Sequence, residues 1–326
     1  MSQACFFNKP LLKPETQINN SNEVITLSYK EDSLSIEPDD KSIDSIQLFL
    51  KSLDGTNSIQ EISNITGYSE EEVVVYVNSL DKELFIMEGG ENFEKGISGK
   101  NFMIKLEEYV QRWTNQKGTD PFNDIVKSNK ATKSLLVGFA LEYFYVTKRA
   151  FTTLMPSTMF QLSPQIKQEL REFAMEEFNH DRIMVRALES VGISREDAYN
   201  HIPLPSTAAL INLLSFWSHH DPLSYMASLY IFEEASDGNE YLQSLEQYDL
   251  PKEYIKPMYD HSDVNEDGDH GAISRNLLKH IEYVSLDDQK RVIKNLYLLI
   301  NTLYAFYDDL VDKYYENEDL PVRLVN

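Results

Sequence analysis

The sequence predicts a mainly α protein in two parts, a small α+β domain followed by a larger helical bundle. Three observations carry that prediction. From residue 102 almost to the C-terminus, apolar residues recur at helical spacing without a strand signal. Before that, "EVITLSYKEDSLSIE" (23–37) alternates apolar and polar residues and is rich in β-branched types, as one or two strands would be. Between the two, "EGGENFEKGISGKN" (88–101) sets four glycines among polar residues, the composition of a linker. The expected division is an arm over 1–20, an α+β domain over 21–88, a linker over 89–101 and a bundle over 102–326.

Within the first domain, Ile43, Ile46, Leu50 and Leu53 fall on one helical face that ends at "DGT". Ser58 is placed to cap a second short helix carrying Ile59, Ile62 and Ile65. Ser69 then begins a third, with Glu72 three residues on as its capping-box partner, and Leu84, Phe85 and Ile86 are strand-like. Three short helices with strands make a winged-helix pattern. In the second domain, helices are expected at about 103–116, 120–128, 131–152, 164–192, 206–218, 223–246, 251–260, 264–284 and 287–316. No internal repeat is evident.

Composition narrows the function. At 326 residues and 42% apolar content, the chain can build a substantial core. Acids outnumber bases 53 to 30, for a net charge of −23, so a polyphosphate surface would repel it and no nucleic-acid partner is expected. The third helix, "EEEVVVYVNSLDKEL", is itself acidic and carries only Lys82 as a base. With Cys5 as the single cysteine, neither an intramolecular disulfide nor a multi-cysteine zinc site can form. The N-terminus lacks a signal-peptide pattern, and no window holds the roughly 18 apolar residues of a membrane span. The most apolar stretch, "NLYLLINTLYAFYDDL", is interrupted by Asn301 and Thr302. A cytoplasmic protein without a membrane partner is expected.

The chemistry lies in acids and histidines set among apolar neighbours. Glu142 sits in "LLVGFALEYFYVTKRAF", Glu177 and His180 in "FAMEEFNH", and Glu233 and Glu234 in "MASLYIFEEASDG". "HSDVNEDGDHG" adds His261, Asp263, Asp267 and His270. A buried carboxylate must be paired, protonated or metal-bound, and the nearest bases are only Lys148, Arg149 and Arg182. Glu-x-x-His puts both side chains on one helical face, the unit by which helical bundles hold iron or manganese. A set this rich in carboxylates suits those metals better than zinc. His201, His219, His220 and His280 lie in loops or away from the cluster and are expected to be structural or exposed.

In its order, the chain resembles the heme-oxygenase-like diiron oxidases and oxygenases, iron-containing redox enzymes of natural-product biosynthesis. A Glu is followed about 35 residues later by Glu-x-x-His, then by a further Glu, then by Asp-x-x-His. The likeness covers roughly residues 103–310 and implies a heme-oxygenase-like helical bundle holding two Fe(II) ions, or manganese, with O2 as co-substrate. By motif it implies Glu142, Glu177, His180, Glu234, Asp267 and His270 as metal ligands. The family's final motif begins with a histidine where this chain has Asp263. His261 is preferred as the remaining ligand if "DVNEDGD" unwinds, with Asp263 as the alternative and Glu233 as the alternative to Glu234. Glu142, Glu177, His180, Glu234 and His270 are the implied catalytic set, and Tyr143, Tyr145 and Phe178 are candidate pocket residues.

The stretch "FLKSLDGTNSIQEISNITGYSEEEVVVYVNSLDKELFI" resembles the winged-helix peptide-recognition domains attached to peptide-tailoring enzymes. Together the two likenesses imply an oxidase or oxygenase acting on an amino-acid, peptide-borne or carrier-borne substrate. An external electron donor is implied because no G-x-G-x-x-G fingerprint is present, and a homodimer is expected. The rival readings are a metal-free enzyme on the same fold (a cofactorless oxidase or a thiaminase-like hydrolase) and a non-enzymatic peptide-binding protein. A thiaminase-like enzyme would need a cysteine in the bundle, which this chain lacks.

Overall fold

The computed structural model describes residues 5–20, 24–38, 41–90, 96–233, 242, 245–267, 272–317 and 322–325. The fold is mostly helical, with a small β-containing region ahead of the helical domain. The chain divides into two compact units, Met1–Glu108 and Tyr109–Asn326.

In the first unit, β1 (Pro10–Leu12) and β2 (Gln17–Asn20) lie within the segment expected to be a loose arm. The alternating stretch forms a hairpin of β3 (Ile25–Tyr29) and β4 (Asp32–Ile36), and β2 joins its other edge with Ile18 opposite Leu27. Three helices follow: α1 (Ile43–Ser52), α2 (Ile59–Thr66) and α3 (Glu70–Lys82). Ser58–Glu61 and Ser69–Glu72 both close capping boxes, which satisfy the N-terminal amides that a helix otherwise leaves unpaired. β5 (Ile86–Glu88) pairs antiparallel with β1. The core gathers Ile25 and Leu27 from the sheet with Leu50, Ile62, Val77 and Phe85 from the helical part.

In the second unit the described helices are α4 (Gly99–Lys117, begun in the first unit), α5 (Pro121–Lys127) and α6 (Lys133–Leu154). After a 3₁₀ turn come α7 (Pro164–Glu177), α8 (His180–Ser190), α9 (Arg195–Asn200), α10 (Pro205–His220) and α11 (Pro222–Glu233). α12 (Lys252–Asp267), α13 (Ile273–Leu278) and α14 (Leu286–Tyr314) complete them. Thr132, Ser163 and Ser285 cap α6, α7 and α14 with their side chains. The sequence-predicted 164–192 helix is in fact two, and α12 runs through the point where a break was expected near 260. α6 is the central helix, packed against α7, α8, α10 and α14. Its Leu135, Leu136, Ala140 and Leu141 are fully buried.

A buried charge holds these helices in place. The fully buried carboxylate of Glu142 accepts hydrogen bonds at Oε1 from His201 Nε2 (3.1 Å), Tyr314 Oη (2.7 Å) and Arg323 Nη2 (2.6 Å). Its Oε2 accepts from the Leu204 amide (2.9 Å) and Thr207 Oγ1 (2.6 Å). Arg323 also donates to Tyr314, and its amide donates to His201 Nδ1 (3.1 Å), which leaves the ring's other nitrogen to donate to Glu142. α6, the 201–207 segment, α14 and the C-terminal residues therefore converge on one side chain. The approach of α14 needs a glycine: a Cβ at Gly138, one turn before Glu142, would lie 2.5 Å from the Tyr314 ring.

Burial alone would raise the pKa of Glu142, but hydrogen bonds from His201, Thr207, Tyr314 and the Leu204 amide outweigh it and hold the carboxyl at about 2, against the ordinary 4.5. A depression of that size corresponds to stabilisation on the order of 3 kcal/mol. Because the folded-state pKa is the lower one, this contribution is complete above about pH 4.5 and is lost as the pH falls toward 2. Denaturant unfolding followed across that range should show stability falling with acid, and Glu142→Gln should be less stable at neutral pH with a flatter acid dependence. Gly138→Ala should lower stability by about 1–3 kcal/mol, because the Tyr314 ring is packed and has to shift. A neutral effect in the same assay would show that α14 gives way without cost.

Candidate functional site

Glu177 closes α7 and His180 opens α8, so the Glu-x-x-His unit spans a break rather than one continuous helix. Phe178 is extended, and Asn179 takes the left-handed conformation at φ 75°, which asparagine tolerates better than most residues. The break keeps the two side chains together. Glu177 and His180 are 7% and 4% exposed, and His180 Nδ1 lies 3.3 Å from Glu177 Oε2. Phe178, placed between them, points away, with 53% of its surface exposed and its ring against Phe151.

Glu177 also lines a cavity of about 60 Å³ bounded by α6, α7, α10 and α11. The remaining wall is largely aliphatic and aromatic, including Phe173, Leu214, Tyr225 and Phe232. Tyr143 is part of it, as expected, whereas Tyr145 and Phe178 are not. Two threonines of α6, Thr147 and Thr153, add hydroxyls. Thr147 donates to the Phe144 carbonyl of its own helix. The Thr153 hydroxyl is buried with no hydrogen-bond partner among the described residues, so it is available to a bound molecule.

A carboxylate at this position is costly in two ways. Burial removes its water, and the C-terminus of a helix carries partial negative charge that opposes another anion. A bound cation offsets both costs, and one carboxylate oxygen beside one imidazole nitrogen is a donor pair suited to iron. That fit covers two ligands; among the described residues no group of three or more potential ligands comes together.

The other expected ligands are placed as follows. Glu142 is the charge described above and does not line the cavity; its counterion is Arg323, 181 residues along the chain, not the nearby Lys148 or Arg149. Lys148 instead donates to the Tyr199 carbonyl. Residues 261–267, which include His261, Asp263 and Asp267, have helical backbone as the end of α12, so the unwinding expected there does not occur before 267. α12 packs along α8, the helix that His180 begins. The side chains of Glu233 and of 261–267, and Glu234 and His270 altogether, lie outside the described residues. Among the other histidines, His201 belongs to the Glu142 network, His219 contacts the Ser215 carbonyl, His220 packs on Phe216 and His280 contacts Glu169. The sequence reading did not find Thr153, Tyr314 or Arg323, none of which has a local signal.

The family described as iron-containing redox enzyme matches residues 139–304, a span that contains the cavity and the Glu177–His180 pair. A domain of unknown function with a heme oxygenase-like fold from Shewanella denitrificans OS217 is 21% identical, with a TM-score of 0.57 over 67% of this chain and 96% of that one. A TenA homolog from Pseudomonas syringae pv. tomato str. DC3000 is 13% identical, with a TM-score of 0.53 over 68% of this chain and all of that one. No curated protein matches the chain. Likenesses at these identities establish the fold, and the family match covers just over half of the sequence. The chain belongs to the family of iron-containing redox enzymes, built on a heme-oxygenase-like fold.

Proposed function

We propose that the protein is a non-heme iron, O2-dependent oxidase or oxygenase working at the α7–α8 break. The observation that carries this reading is the buried Glu177–His180 pair, 3.3 Å apart, with Glu177 in the wall of an apolar cavity inside the matched region. The resemblance in sequence order implies Glu142, Glu234 (or Glu233), Asp267, His270 and either His261 or Asp263 beside this pair, and two Fe(II) ions with manganese as a substitute; with Glu142 held by five hydrogen bonds, the others are proposed to hold the metal. Activation of O2 for oxidation of a substrate C–H or N–H bond is the chemistry that iron supplies when bound.

The chain's own part is positional. Glu177 presents a carboxylate to the cavity, and the break at Asn179 keeps the buried His180 imidazole beside it. Phe173, Leu214 and Phe232 exclude water and favour an apolar substrate portion. The Thr153 hydroxyl gives that substrate one hydrogen bond. The N-terminal unit, through its likeness to peptide-recognition domains, is the part proposed to take a peptide- or carrier-borne substrate, with electrons supplied by an external donor.

Anaerobic loading with Fe(II), followed by metal analysis of the desalted protein, tests the reading. Glu177→Ala and His180→Ala should each weaken iron retention by more than about tenfold while the chain stays folded. Folded variants that keep the wild-type iron content would refute the assignment.

A further inference from the structure

We infer that an acidic one-electron carrier protein docks on the surface just outside the Glu177–His180 pair, on a face formed by α6, α7 and α8. The inference rests on the iron reading above and gives its electron donor a place on the bundle. At the centre is Phe178, which stands between Glu177 and His180 in the chain yet has 53% of its surface exposed. Its ring packs on the half-buried Phe151 of α6, and the exposed Met155 follows Phe151 by one helical turn. Met175, 70% exposed, extends the patch along α7. Large apolar side chains exposed together in this way mark a contact surface.

Charge selects the kind of partner. Residues 143–168 are the longest stretch of the chain without an acid, in a protein of net charge −23, and they carry Lys148, Arg149 and Lys167. Arg149 precedes Phe151 by two residues on α6, and Arg171 lies one turn before Met175 on α7. Arg182 and Arg186, one turn apart on α8, follow His180. All four arginines are exposed, and none forms an ion pair among the described residues. The Lys148 ammonium lies 4.9 Å from the centre of the Tyr199 ring, whose hydroxyl also feels the charge of Arg182, so α6 and α8 share this basic edge. The nearby acids are fewer: Asp181 accepts from Tyr199, Glu172 accepts from Gln168 (2.9 Å), and Glu176 lies beside Glu172 on α7. A small apolar centre with a charged rim suits a weak electron-transfer encounter, which charge steers and apolar contact seats. A carrier seated on Phe178 is within one residue of both Glu177 and His180. There it loses one electron, and iron held by the pair passes from Fe(III) to Fe(II).

The test uses a small acidic [2Fe–2S] ferredoxin as the probe. Its binding to the full iron-loaded chain is measured by calorimetric titration, and its reduction of bound Fe(III) by stopped flow. Binding should weaken at least about tenfold between about 20 mM and 0.5 M salt. Arg149→Glu combined with Arg182→Glu should weaken binding and slow reduction by about tenfold or more, with iron content unchanged. Arg171→Glu alone, on a different helix, should act in the same direction, which keeps the test decisive if the double variant does not fold. Lys313→Glu should change neither quantity, because it lies near the opposite end of α6, where Thr132 meets the end of α14. No ferredoxin binding by the iron-loaded wild type, or equal binding by the charge-reversed chains, would overturn the inference and leave the iron reading standing. Phosphatidylserine vesicles bound in place of ferredoxin, and lost in the same variants, would overturn it too and assign the face to a membrane. A folded wild-type chain that retains no iron would overturn the iron reading and the inference with it.

Discussion

One buried carboxylate sets the geometry of the helical unit. Glu142 has no access to water, so its charge had to be satisfied from within, and the donors come from segments far apart in the chain. Meeting that requirement fixes where α10 begins, how closely α14 lies on α6 and where the C-terminal residues return. The absent side chain at Gly138 is part of the same constraint, because the Tyr314 hydroxyl reaches Glu142 only if its ring can lie against the α6 backbone. Such a network is unforgiving, since removing one donor leaves a buried charge partly unmet.

Glu177 shows the opposite solution to the same problem. It too is buried among apolar residues, but it ends a helix, faces a cavity and has an imidazole beside it. Two acids in one bundle thereby acquire different surroundings: one is held in a network of structural donors, and the other stands at a cavity with an imidazole beside it. The left-handed residue at Asn179 makes the second arrangement possible, because it ends α7 and restarts the chain within one residue. Local backbone conformation, not helical periodicity, brings Glu177 and His180 together.

Much of the fold was legible because its signals are local. Helical spacing located the long helices, and Ser69 with Glu72 marked the start of α3 where the structure has it. The Glu-x-x-His spacing singled out two residues whose side chains do lie side by side, 3.3 Å apart. The α7–α8 break was not legible, since "EEFNHD" contains neither glycine nor proline and a left-handed asparagine leaves no periodic trace. β2, a polar edge strand spelled "QINN", likewise lacks an apolar alternation to betray it. The partners of Glu142 were hidden for another reason: the pairing with Arg323 spans 181 residues, and nothing in either neighbourhood announces it. Spacing thus pointed to Glu142 and Glu177 among apolar residues, and only three-dimensional packing shows what surrounds each of them.

The most direct test of this account is a crystal of the iron-loaded protein measured at the iron absorption edge. The account predicts an anomalous peak within bonding distance of the Glu177 carboxylate and the His180 imidazole, with Glu142 still held by Tyr314 and Arg323. A peak bonded to Glu142, with Arg323 displaced, would contradict it.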